Sequence, residues 1–313
     1  MCDNWLGRFF IVYFSTNWTI ISSEYNFLKY FKVTATKNLI IAGADGKPIA
    51  LDIFHNGNEQ RPVIIYAHGF NGFKDWANFD IIANKFADAG FTFIKFNFSH
   101  NGTTPSNPEE FVDLESFGEN NYSKEIEDLK LVIDWVSDLY NIYHSSIDDK
   151  KLYLIGHSMG GGISILLAAS DPRIRKLVTW AGISECKTPW GNWTAEKLAE
   201  WKRDGVAYYA NSRTGQQMPL NYQLHEDYVN NKKALDIKAA IKRLTIPVLI
   251  CHGMQDSAVA IEKAYVLQKW QPEARLFTVE SDHVFGRKHP WVGDELPAAM
   301  EDVVEASIGF LKE

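Results

Sequence analysis

The chain has 313 residues, of which 46% are hydrophobic and 23% charged, a composition that excludes a disordered, collagenous or low-complexity protein. Thirty-nine Asp and Glu against 32 Lys and Arg leave a formal charge of -7, so the basic field that phosphate binding requires is missing and nucleic acid is not expected as a partner. The three cysteines, Cys2, Cys186 and Cys251, are scattered, include no CxxC pair and point to a reducing, cytoplasmic compartment.

Residues 1–32 read as an N-terminal extension. Its apolar stretch, Phe9 to Phe14, is too short to cross a bilayer. Asp3 and a lone Arg8 make a poor start for a secretory signal, with secretion left open as the alternative. No apolar run of 18 residues occurs elsewhere, so no membrane span is expected.

From residue 33 to 313 short β-rich runs alternate with helical patterns, the signature of one α/β domain with a mostly parallel central sheet flanked by helices. Segments 33–37 and 49–54 read as antiparallel edge strands leading in. Val63 to Ala67, Phe91 to Phe98, Lys151 to Ile155, Lys176 to Trp180, Ile246 to Cys251 and Arg275 to Val279 read as the remaining strands. Asn78 to Ala89 is helical and stops at Gly90, a good left-handed terminator. Ser123 to Leu139 is helical too, its stripe of Ile126, Leu129, Val132, Ile133 and Val136 leaving Glu125, Asp128, Lys130 and Asp134 on the other faces. Leu296 to Leu311 reads as a closing helix. A loop from Ser99 to Asn121 and an insertion at about 185–231 interrupt the alternation. The insertion carries Trp190, Trp193, Trp201, Tyr208, Tyr209, Tyr222 and Tyr228 and reads as a cap over a binding site.

Gly156-His157-Ser158-Met159-Gly160 follows a strand and opens a helix, the context a G-x-S-x-G nucleophile elbow needs. Glycines two positions either side permit a sharp turn that pushes the Ser158 hydroxyl above the sheet and places the Met159 N–H near it. A serine hydroxyl needs a base and a group to orient that base, in the chain order Ser, acid, His. Asp256, on the turn after the Ile246 strand, is the acid; Glu185, after the preceding strand, is the alternative. His283, after the last strand, is the base, ahead of His289 and His252. His157, inside the elbow, is expected to bond locally. The glycines of His68-Gly69-Phe70-Asn71-Gly72 let backbone approach a ligand, which makes the Phe70 and Met159 N–H groups the expected oxyanion donors.

From about residue 45 onward the chain resembles the α/β-hydrolase superfamily. The His68–Gly72 loop, the Asn97-Phe98-Ser99-His100-Asn101-Gly102 turn and the Gly156 elbow are similar to those of serine esterases related to dienelactone hydrolases and hydroxycinnamoyl (feruloyl) esterases. The resemblance implies a Ser158, Asp256 and His283 triad, Phe70 and Met159 as oxyanion donors and the insertion as cap. It departs in one respect: dienelactone hydrolases proper use a cysteine nucleophile where this elbow holds serine. The Asn97 to Gly102 turn is given no chemical role. The activity expected is hydrolysis of a small-molecule carboxylic ester, aromatic or medium-chain in its acyl group, with no metal or cofactor required. A serine peptidase or thioesterase of the same fold, or a non-catalytic hydrolase-like binding protein, are the alternatives.

Overall fold

The computed structural model describes residues 33–313 apart from 58, 139, 140, 142, 144 and 145. The expected N-terminal extension and Cys2 lie outside the described residues. Strands β1 (Thr34–Ala42), β2 (Pro48–His55), β3 (Arg61–Ala67), β4 (Thr92–Phe96), β5 (Ile147–His157) and β6 (Ile174–Trp180) form most of one sheet. Helices α1 (Phe79–Asp88), α2 (Leu114–Gly118), α3 (Tyr122–Val136) and α4 (Met159–Ala168) lie between them in the chain. The insertion follows as α5 (Ala195–Asp204), a hairpin of β7 (Val206–Ala210) and β8 (Gln217–Asn221), and α6 (Gln223–Asn230). Helix α7 (Ile237–Arg243), β9 (Val248–Gly253), α8 (Glu262–Trp270), β10 (Arg275–Val279) and α9 (Ala298–Lys312) complete the chain.

The large sheet has eight strands in the order β1-β2-β4-β3-β5-β6-β9-β10. Strand β2 runs antiparallel to both its neighbours, and every other pairing is parallel. Of the two segments expected at the edge, β1 holds that place; β2 is paired on both sides and almost wholly buried.

Alternation along the strands assigns the two faces. Val63, Ile65 and Ala67 join Leu129, Val132, Ile163, Ile241 and Leu267 in one apolar layer, so α3, α4, α7 and α8 cover that face. Ile64 and Tyr66 join Phe86, Val303 and Val304 in the other, beneath α1 and α9. The Trp180 indole N–H donates to the Ser307 hydroxyl at 3.0 Å and ties α9 to the sheet. Cys186 and Cys251 are free and buried, and among the described residues no helix is long and apolar enough to cross a membrane.

Helix α3 departs from its expected pattern, because Glu125 and Asp128 are buried. Asp128 accepts from the Ala44 N–H and the Ser99 N–H, both at 2.7 Å, and from the Ser99 hydroxyl at 2.8 Å. These donors come from loops far away in sequence, which the helical period cannot reveal. Glu125 is less well served: Oε1 accepts from the Asn120 amide at 2.8 Å, while Oε2 is buried with no partner. Burial, reinforced by the Asp128 charge, pushes its pKa from 4.5 up to about 8.

The folded chain therefore holds a proton on Glu125 that the unfolded chain releases, and stability falls as pH rises from about 4.5 to about 8. The neutral isostere Glu125→Gln is expected to stabilise the fold by about 1–3 kcal/mol at pH 9 and by much less at pH 5. Thermal unfolding at the two pH values checks this, and equal shifts at both would contradict it.

Candidate active site

Strand β5 ends at His157 and α4 begins at Met159, so Ser158 alone turns the chain from strand to helix. It does so at φ 54° and ψ -117°. Side-chain-bearing residues rarely adopt such a conformation, which stores about 1–3 kcal/mol. Its neighbours permit it because they lack side chains. A Cβ on Gly156 would stand 2.3 Å from the Gly160 carbonyl oxygen, and one on Gly160 would stand 2.4 Å from the carbonyl oxygens of Ala67 and His68. The Ser158 N–H donates to the Trp180 carbonyl at 2.9 Å, and its own carbonyl accepts from the N–H groups of Gly161 at 3.0 Å and Ile183 at 3.1 Å.

The same crowding brings the loop after β3 against the serine, since a Cβ on Gly69 would lie 2.8 Å from the Ser158 Cβ. Among the described residues, neither the Phe70 N–H nor the Met159 N–H is spent on an internal hydrogen bond. The Asn97–Gly102 turn, for which no chemical role was expected, holds this loop from behind. Asn97 Oδ1 accepts from the Lys74 N–H at 2.6 Å, and His68 Nε2 accepts from the Phe98 N–H at 3.3 Å. With Nε2 accepting, His68 Nδ1 carries the proton and donates to the Gly69 carbonyl at 2.9 Å. Desolvation takes the pKa of this buried ring down to about 4, so it is neutral.

Ions fasten the loop further along. Lys74 Nζ lies 2.8 Å from Asp52 and 2.5 Å from Asp75, and Lys95 Nζ lies 3.0 Å from Asp52 and 2.8 Å from Asp80. Among the described residues these three aspartates are the one carboxylate group close enough to share a metal ion, and the two ammonium groups already supply their counter-charge.

Asp256 and His283 meet. Asp256 follows β9, His283 follows β10, and His283 Nδ1 donates to Asp256 Oδ2 at 2.7 Å, which leaves Nε2 with its lone pair. Asp256 Oδ1 accepts from the Ala258 N–H at 2.9 Å and the Val259 N–H at 2.8 Å. His252 Nε2 lies 3.3 Å from Asp256 Oδ2 and donates to the Val259 carbonyl at 2.7 Å. Burial works to raise the Asp256 carboxyl, but the hydrogen bonds from His252 and His283 outweigh it and hold the group well below the usual carboxylate range.

The alternatives are engaged elsewhere. Glu185 is exposed and pairs with Lys187 at 3.0 Å, while His289 Nδ1 accepts from the Ala77 N–H at 2.9 Å. His157 bonds locally: its Nε2 donates to the His283 carbonyl at 3.0 Å, and desolvation holds its pKa well below the usual imidazole range, so it is neutral. No hydrogen bond joins the Ser158 hydroxyl to His283, although both line one cavity of ≈ 360 Å³. Such bonds commonly tighten only when substrate is bound.

Phe70, Phe73, Trp76 and Phe79 give the cavity its apolar wall, and the turn between β7 and β8 adds Asn211, Ser212 and Arg213. Of the insertion's aromatic residues, the tryptophans pack together. Trp201 lies 5.8 Å from Trp190 and 5.1 Å from Trp193, ring centre to ring centre. Tyr209 is the exception, its hydroxyl donating to Asn71 and its ring lying 5.7 Å from Phe70. Sequence reasoning also missed Arg287, a buried cation in the cavity wall with no local pattern to announce it.

Residues 62–216 match the model of the family described as alpha/beta hydrolase fold. A 2-hydroxymuconate semialdehyde hydrolase from Pseudomonas sp. strain CF600 is 28% identical over 218 residues, covering 61% of this chain and 73% of that protein. Further curated relatives are matched over smaller shares of their own length, from 34% to 60%. Est1E from Butyrivibrio proteoclasticus superposes with a TM-score of 0.60 at 19% identity, over 88% of this chain and 98% of Est1E. The α/β hydrolase GrgF from Penicillium sp. sh18 does so at 0.65 and 17%, over 90% and 98%. With its strand order, its strained serine between strand and helix, and the family model matched over about half of its length, the chain has the α/β-hydrolase fold and esterase- and hydrolase-named relatives.

Proposed function

We propose that the chain is a serine hydrolase that cleaves carboxylic esters through an acyl-enzyme. Ser158 is the nucleophile, His283 the base, Asp256 the group that orients it, and the Phe70 and Met159 N–H groups hold the oxyanion. The observation that carries this reading is the 2.7 Å bond from His283 Nδ1 to Asp256, made at the wall of the cavity that the Ser158 elbow also lines. With Nδ1 committed to the carboxylate, Nε2 takes the serine proton as Oγ bonds to the ester carbonyl carbon. The former carbonyl oxygen becomes an anion facing two unspent N–H groups. His283 then returns the proton to the departing alkoxide as the C–O bond breaks. A water molecule repeats the cycle on the acyl-enzyme and releases the acid and free Ser158.

Segment 185–231 acts as a cap in this reading, supported by the Tyr209 bond to Asn71 and by Asn211, Ser212 and Arg213 in the cavity wall. The aromatic wall supports an aromatic or medium-chain acyl group, and a second structure of Est1E has ferulic acid bound.

Replacing Ser158 by Ala is expected to lower ester turnover by about 10⁴-fold or more with thermal unfolding little changed, and an undiminished rate would reject the nucleophile. Asp256→Asn should cost about 10³–10⁴-fold in kcat, whereas Glu185→Gln should stay within about twofold; the reverse ranking would move the acid to residue 185. Against matched ester, thioester and peptide amide substrates the ester should have the highest kcat/KM. Faster cleavage of the amide would refute ester specificity.

A further inference from the structure

Apart from the reacting groups, the cavity carries positive charge that no described residue meets in an ion pair. Arg287 stands four positions after His283, is 4% exposed and lines the cavity. Of its guanidinium nitrogens only Nε is hydrogen-bonded, to the Val284 carbonyl at 2.9 Å, and Nη1 is buried without a partner. The Phe79 and Trp76 rings flank it, with their centres 4.7 and 5.4 Å from Cζ, which steadies the cation but leaves those N–H groups unmet. Asp282, the carboxylate of the same loop, forms no ion pair with it and accepts from the Val284 and Gly286 N–H groups. Desolvation lowers the Arg287 pKa to about 10, so it stays charged at neutral pH. A buried cation is ordinarily paired, and one left open beside a candidate nucleophile is a site lacking its anion.

Three further groups extend the pattern. Arg213 and Lys288 line the same cavity, are exposed and make no ion pair. The Tyr66 hydroxyl, at the buried end of the wall, makes no hydrogen bond. On a chain of formal charge -7 this is a local concentration of cations and not a generally basic surface.

We propose that Arg287, assisted by Arg213 and Lys288, binds a carboxylate carried by the substrate, so that the preferred substrates are monoesters of dicarboxylic acids. A guanidinium with free N–H groups matches a carboxylate's two oxygens, and a cavity walled by aromatic rings strengthens the pairing. The cleavage step rests on the ester-hydrolase reading above, whereas carboxylate binding does not.

The test compares p-nitrophenyl hemiglutarate with p-nitrophenyl valerate, which has an acyl chain of the same length and no charge. Wild type should favour the hemiglutarate in kcat/KM by about tenfold or more at low ionic strength. Arg287→Met should reduce that ratio about tenfold to a hundredfold, the scale of one lost hydrogen bond to a charged group. The Arg213→Gln, Lys288→Gln double variant, altered only at exposed positions, should reduce it several-fold and decides the matter if Arg287→Met fails to fold. Lys263→Gln, an exposed charge loss on α8, controls for net charge and should leave the ratio unmoved. Titration of Ser158→Ala with glutarate, followed by tryptophan fluorescence, gives a readout free of catalysis. No preference in wild type, or a ratio unmoved in the variants, overturns the carboxylate site while the ester reading stands. If neither ester is cleaved but glutarate binds saturably and is lost on Arg287→Met, the ester reading falls and the carboxylate site stands. Neither cleavage nor binding overturns both.

Discussion

The arrangement depends on a place where three backbone segments approach too closely to admit a side chain. The end of β3, the turn at Ser158 and the first turn of α4 meet there, and hypothetical Cβ atoms on Gly156 and Gly160 would stand 2.3–2.4 Å from carbonyl oxygens. That contact forces Ser158 into its left-handed conformation. It also brings Gly69, the residue before Phe70, against Ser158, and neither the Phe70 nor the Met159 N–H belongs to a regular hydrogen-bond ladder. The strain is sustained because parallel pairing of β3 with β5 and of β5 with β6 holds the segments in register.

Around this point the chain surrounds the candidate site residues with hydrogen-bonded polar side chains. Asp52, Lys74, Asp75 and Lys95 tie the loop that carries Phe70 to β2 and β4. His68, kept neutral by burial, stitches that loop to the Asn97–Gly102 turn. His252 and two N–H groups hold Asp256, and His157 holds the backbone of His283. In a site of low dielectric such fixed dipoles hold charge without reorganising during the reaction. Arg287, whose buried Nη1 has no partner among the described residues, is the group we propose meets an anion from outside the chain.

Much of this was legible in the sequence, for reasons that differ between elements. The buried strands announced themselves as continuous apolar runs, and β10 matches its expected bounds from Arg275 to Val279. The elbow was legible because the steric demand for glycine at 156 and 160 is local. Chain order pointed to Asp256 and His283, each after a strand at the same edge of the sheet, and their side chains do meet. Other features had no local sign. Glu125 and Asp128 carry the charges of a solvated helix face, yet the groups that accept Asp128 into the interior are 84 and 29 residues away. Trp190, Trp193 and Trp201 gave the same compositional signal whether they faced a ligand or one another, and only packing decides for the latter. The inward placement of β2 depends on strand order, which hydropathy does not encode.

The most direct measurement of the central claim is mass spectrometry of the intact chain after exposure to a fluorophosphonate, with the modified residue mapped. The account predicts a single phosphonyl group on Ser158, attached at a rate that falls by orders of magnitude in His283→Ala. Label distributed over other serines, or a Ser158 labelling rate indifferent to the imidazole at 283, would contradict it.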